Sequence, residues 1–144
     1  MIKRAVEHDA EELACLAVLL WDNHGAEELR DEFADMLKSD EAACFIAYES
    51  DVSVGFAQCQ LRHDYVEGTD SSPVGYLEGI YVLPGHRRLG IAKALLSACE
   101  SWAKSMGCRE FASDCELTNR ASLAFHLRVG FTEENRIICF KKNL

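Results

Sequence analysis

Apolar residues recur along this chain with two periods, and the switches between them mark out its elements. Ile2 to Val6 predicts a short first strand. Asp9 stands as an N-cap before Leu13, Leu16, Ala17 and Leu20, which share one helical face. Ala26, Leu29, Phe33, Met36 and Leu37 repeat that spacing in a second helix. From Ala43 to Tyr48 the pattern becomes nearly continuous, as in a strand buried on both faces. A Glu49-Ser50-Asp51 turn leads into a strand over 52–61, where Val54 and Phe56 point one way and Ala57, Cys59 and Leu61 fall in the opposite phase. Gly55 marks a bulge at that switch.

Residues 62–73 are polar and turn-rich, a long hairpin loop before a strand over 74–83. Helical spacing returns with Ile91, Ala94, Leu95, Ala98, Cys99 and Trp102, and Gly107 is a C-terminal stop. A strand over 109–115, a helix over 119–129 ended by Gly130, and a final strand pair from Phe131 and 137–140 complete the chain. The order β-α-α-β-β-β-α-β-α-β predicts one α/β domain over residues 1–144, with a mixed central sheet and helices on both faces.

Charge narrows the partner. Fifteen basic residues stand against 24 acidic ones, a formal balance of −9, which disfavours nucleic acid and suits either a cationic partner or solubility alone. The seven cysteines are odd in number and none form C-x-x-C, so buried reduced thiols in a cytoplasmic protein are expected rather than disulfides or zinc. The N-terminus turns acidic at Glu7 and Asp9 where a signal peptide would be apolar, and no segment is long enough to enter a membrane as a span.

The candidate chemistry starts at residues 77–92, where a β-branched run ends at Pro84, a basic turn follows and a helix begins. Gly85 and Gly90 have P-loop spacing, but Ile91 replaces the lysine and no serine or threonine follows it, so that reading fails. The first turn of a helix leaves N–H groups free, Gly90 permits close approach, and Arg87 and Arg88 add charge-assisted bonds. A pyrophosphate suits such a place; an exposed basic helix start is the plainer alternative.

Arg87-x-x-Gly90-x-Ala92 resembles the acetyl-coenzyme A loop of the GCN5-related N-acetyltransferases. Asn119-x-x-Ser122-x-x-Phe125-His126-x-x-x-Gly130-Phe131 resembles their C-terminal signature. The resemblance implies a sheet splayed between two parallel strands, with the thioester arm in the gap. It assigns Arg87, Arg88, Leu89, Gly90, Ile91, Ala92 and Asn119 to acetyl-coenzyme A, and the backbone of Ile80 and Val82 to its pantetheine. The Val82 N–H would serve as oxyanion donor. Where the family usually has a tyrosine that protonates the leaving thiolate, this chain has His126, which can donate a proton or simply pack in its helix.

On the acceptor side, Glu78 sits in an apolar strand, where a carboxylate is costly unless something uses it or a salt bridge satisfies it. Asp114 ends the next strand, and the loop carrying Asp64, Tyr65 and Glu67 could overhang the same cleft or merely be solvated. Tyr65-Val66-x-Gly68-Thr69, Ser71-Ser72-Pro73-Val74-Gly75, Leu77 to Pro84, Trp102-Ala103-Lys104 and Glu110 to Asp114 resemble chromosomal aminoglycoside 6′-N-acetyltransferases. That likeness implies Tyr65, Glu78 and Asp114 as drug-binding residues, Glu78 as base, a histidine at the place of His126, no metal, and a homodimer formed through the last strands. An acetyltransferase for a polyamine, a peptide N-terminus or lysine is the rival within the family, and a non-catalytic acyl-coenzyme A sensor the rival outside it.

Overall fold

The computed structural model describes all 144 residues. Strands β1 (Ile2–Arg4), β2 (Ala42–Glu49), β3 (Val52–Arg62), β4 (Val74–Val82) and β5 (Phe111–Ala112) form one sheet in sequence order. All neighbours are antiparallel except β4 and β5, which run parallel. Helices α1 (Ala10–Ala17), α2 (Ala26–Met36), α3 (Ile91–Ser105) and α4 (Arg120–Arg128) supply the covering layers.

The alternation of β2 sorts its side chains to two cores. Phe45 and Ala47 pack under α3 with Ala57, Cys59 and Leu77, joined by Phe125 of α4 and by Val129, which follows it. Cys44 and Ile46 face α1 and α2 with Leu13, Phe33 and Phe56. Burial on both faces explains why this strand reads as a continuous apolar run.

Two bulges bend the sheet. In the β2–β3 ladder Ala47 pairs Gly55 and Tyr48 pairs Ser53, so Val54 is the extra residue, next to the expected Gly55. A Cβ at Gly55 would lie 2.7 Å from the Tyr81 carbonyl oxygen, so glycine allows β4 its close approach. In the β3–β4 ladder Gln58 pairs Gly79 and Cys59 pairs Leu77, leaving Glu78 unpaired on β4.

Several expectations need correction. The first strand stops at Arg4, and α1 ends at Ala17, with Leu20 carried on a separate turn. Asp9 does not cap α1 with its side chain; its carboxylate turns back to accept the Val6 N–H at 2.8 Å and the Lys3 ammonium at 3.1 Å. The strand expected over 109–115 shrinks to two residues. The final strand pair does not form: residues 131–144 have no regular structure, and Ile137, Ile138 and Phe140 are 67%, 80% and 89% exposed. A strand needs a ladder partner, and within this chain the outer edge of β5 offers only two residues. Cys44, Cys59, Cys99 and Cys108 are buried and free, whereas Cys15, Cys115 and Cys139 are free but exposed. No helix is long and apolar enough to cross a membrane.

Candidate functional site

The basic turn between β4 and α3 is built to converge N–H groups. Arg88 adopts φ +64° and Gly90 φ +81°, two left-handed residues around Leu89. For a non-glycine residue this conformation costs about 1 kcal/mol or more, and it aims successive amides into one concavity. The amides of Arg88 to Lys93 donate to no backbone carbonyl; the first helical bond runs from the Ala94 N–H to the Gly90 carbonyl at 3.0 Å. A Cβ at Gly90 would meet nothing within 4 Å, so the approach is open. Free amides, an open face and two guanidinium groups fit a diphosphate. The turn is anchored by His86, whose Nδ1 lies 2.6 Å from Glu49 on β2.

The gap beside it follows from the ladder. β4 and β5 pair only at Gly75–Phe111 and Tyr76–Ala112, and beyond them β4 has no neighbour on that side. The Leu83 N–H donates to Val54 on β3 at 2.8 Å. Strand alternation therefore turns the N–H and C=O groups of Val82 and Ile80 the other way, into the gap. The Val82 carbonyl accepts Arg87 Nε at 2.8 Å, and that guanidinium lies 5.3 Å from the Tyr81 ring centre.

The carboxylates lie on the two arms of the splay. Glu78, at its bulge, accepts a forked pair from Arg62: Oε1 from Nε at 3.1 Å and Nη2 at 2.8 Å, Oε2 from Nη2 at 3.0 Å. The Arg62 guanidinium stacks 3.4 Å from the centre of the Tyr76 ring. The buried Tyr76 hydroxyl donates to Asp114, just past β5. A cavity of about 480 Å³ between α2 and the sheet runs up to Glu78, lined also by Trp21, His24, Glu32, Gln58 and Gln60. The Trp21 ring lies flush over Gly79, where a Cβ would come within 2.5 Å of it. Trp21, Arg62 and Tyr76 were not singled out by the sequence; an aromatic after a helix and a loop-edge arginine carry no distinctive spacing.

The remaining expected residues are dispersed around this core. His126 on α4 bonds the Ser122 carbonyl through Nδ1 at 2.7 Å and Ser113 Oγ through Nε2 at 2.8 Å, one residue from Asp114. Asn119 caps α4, its Oδ1 accepting the Ser122 N–H at 3.0 Å. Tyr65 stands exposed on the long loop, its hydroxyl accepting the Gly68 N–H at 3.3 Å, with no hydrogen bond to Glu78 or Asp114. Glu110 holds that loop by accepting Ser71 Oγ and the Asp70 N–H, which keep its carboxyl below the usual range.

A model of the acetyltransferase (GNAT) family matches residues 4–131. The chain belongs to that family. Among curated relatives of this GNAT protein is the aminoglycoside N(6′)-acetyltransferase type 1 of Salmonella typhimurium, 44% identical over 123 residues and covering 85% of each chain. The protein of the same name from Stenotrophomonas maltophilia is 42% identical over 144 residues, 99% of this chain and 93% of its own. Among solved structures, AAC(6′)-Iy in complex with a coenzyme A–monomethyl-acetylneamine bisubstrate analogue superposes with TM-score 0.96 at 40% identity, covering 100% of this GNAT chain and 98% of the other. The aminoglycoside 6′-N-acetyltransferase AAC(6′)-IG of Acinetobacter haemolyticus gives 0.94 at 38%, with 100% and 99% covered.

Proposed function

We propose that this GNAT protein is an acetyl-coenzyme A-dependent aminoglycoside 6′-N-acetyltransferase. One observation carries the reading: the strand that leads into the amide-lined turn has an open edge and bears Glu78, which is connected through Arg62 and Tyr76 to Asp114 on the other arm of the splay. Relatives that bear this activity in their names extend along most of the chain.

Acetyl-coenzyme A supplies the activated acetyl group. The amides of Arg88 to Ala92, with Arg87, grip its diphosphate, and Asn119 lies at the N-terminus of the helix that borders the site. Ile80 and Val82 offer ladder-free backbone to the pantetheine arm. Glu78 and Asp114 draw the polycation in, with Tyr65 on the overhanging loop. The 6′-amine loses a proton to Glu78, through water, since Oε2 keeps a lone pair beyond its Arg62 bond. The neutral amine attacks the thioester carbon while the Val82 N–H donates to the developing oxyanion; collapse of the tetrahedral intermediate breaks the C–S bond, and protonated His126 gives the departing thiolate a proton. Proximity supplies much of the rate, because a free amine attacks a thioester without a metal.

The protein acts in the cytoplasm, where free thiols persist, and as a homodimer. The exposed Ile137-Ile138 and Phe140 run is the surface that a second copy would cover. Thiol release is measured with kanamycin, tobramycin, spermidine and a lysine peptide. Turnover on the two drugs is expected; none there with brisk turnover of spermidine overturns the substrate, and no release with any amine overturns catalysis. A dimer by light scattering, lost on deleting residues 137–144, tests the assembly.

A further inference from the structure

Glu78 and Asp114 share a weakness that the fold does not repair by itself. Glu78 is the bulged residue of β4, so no ladder pair fixes its backbone. Asp114 lies beyond the end of a two-residue strand, in irregular chain. Regular hydrogen bonding holds neither carboxylate, yet one side-chain chain runs from the first to the second. Glu78 takes the fork of Arg62, Arg62 lies flat on Tyr76, and Tyr76 donates its hydroxyl to Asp114.

We propose that Arg62 and Tyr76 are positioning residues that set the two acidic groups as one receptor for a polyamine-like acceptor. The inference rests on the reading of Glu78 and Asp114 as amine-binding groups. An arginine fork fixes both oxygens of a carboxylate in a plane, which a lysine point charge does not. The stack on Tyr76 restricts the guanidinium in the perpendicular direction. The Tyr76 ring, 6% exposed, is held by Val66 and Val74 and so transmits a packed position to its hydroxyl. Arg62 bonds Glu78 and stacks on Tyr76 in the sheet, His24 and Glu32 line the same cavity from α2 and the turn before it, and Asp114 connects to Glu78 only through Tyr76 and Arg62. Arg62 is the one cation among them besides a protonatable histidine. Without it, Glu78 and Glu32 would face one cavity with no fixed cation between them, and Asp114 would lose its link to Glu78.

The test uses R62M, R62K and Y76F in steady-state kinetics with kanamycin and with spermidine. R62M is expected to raise the acceptor KM or lower acceptor kcat/KM on the order of 10–100-fold, as for a misplaced binding group. The KM for acetyl-coenzyme A should stay within about twofold, because its turn shares no partner with Arg62. R62K should recover part of the loss, and Y76F, which keeps the ring but frees Asp114, should lose acceptor kcat/KM by about tenfold. The R62M/Y76F double variant should lose less than the product of the single losses, because both cut one chain. Unchanged acceptor kinetics, equal damage to both substrates, or a lower acceptor KM in R62M would overturn the proposal; the last would mean that Arg62 competes for Glu78. Where R62M melts below the assay temperature, R62K and Y76F decide alone by the same criteria. The wild-type acceptor panel judges the substrate reading, whereas the variant-to-wild-type ratios on whichever amine is accepted judge the positioning.

Discussion

The hydroxyl of Tyr76, the last residue of β4 to pair with β5, donates to the Asp114 carboxylate two residues past its ladder partner Ala112. Burial first, and then this hydrogen bond, push the Tyr76 phenol well above its ordinary range; Tyr48 is pushed up to about 12 by burial and by Glu12. A raised phenol favours the neutral form in the folded state. Its stabilisation is complete below the ordinary value of about 10 and is lost as pH rises through the raised one. Absorbance titration should therefore show late phenols, and Y76F should remove the latest. An unchanged late transition in Y76F would contradict the assignment.

Arg87→Ala and Asp114→Ala should divide the site. The first removes a guanidinium beside the amide turn and should weaken acetyl-coenzyme A by about tenfold or more while sparing the drug. The second should do the reverse. Calorimetric titration with each ligand distinguishes them, and equal effects on both would contradict a split site.

Gly90→Ala places a side chain at φ +81° in open space, so strain rather than collision decides its effect. A loss of about 1 kcal/mol in denaturant midpoint analysis is expected, with weaker acetyl-coenzyme A binding because the amide cradle relaxes. Full retention of both would mean that the left-handed turn is not needed.

Gly79→Ala meets the Trp21 ring at 2.5 Å and must move it. Overpacking of this kind costs about 1–3 kcal/mol, and the displaced indole should raise the acceptor KM without touching that for acetyl-coenzyme A. In a W102F background Trp21 fluorescence reports the movement; an unshifted emission maximum would show that the ring had not yielded.

Glu78→Gln keeps the size of the side chain and part of its bonding to Arg62 but cannot take a proton. kcat should fall while acetyl-coenzyme A affinity holds. Unchanged turnover would remove Glu78 as base and leave it a binding group.

The local grammar of the chain was readable for a physical reason: periodicity and turn chemistry are written in near neighbours. The both-face burial of β2 showed as an unbroken apolar run, and the amide turn showed as Arg87-x-x-Gly90-x-Ala92 at a helix start. Val54 bulged one residue from the glycine that signalled it. Motif resemblance extended this to the family and to the residues that flank the splay.

What the sequence determined by itself was therefore the family, the order of elements as far as α4 and the types of residue brought to the site. Tertiary structure alone decided which of them touch. The Glu78 bulge depends on the register of β4 against β3, the Trp21 wall on how a turn after α1 settles over Gly79, and the Arg62–Tyr76 link on a contact between residues 14 apart in sequence. The run at 137–140 has strand propensity but finds no ladder partner in its own chain, because pairing belongs to two strands and a sequence pattern describes only one.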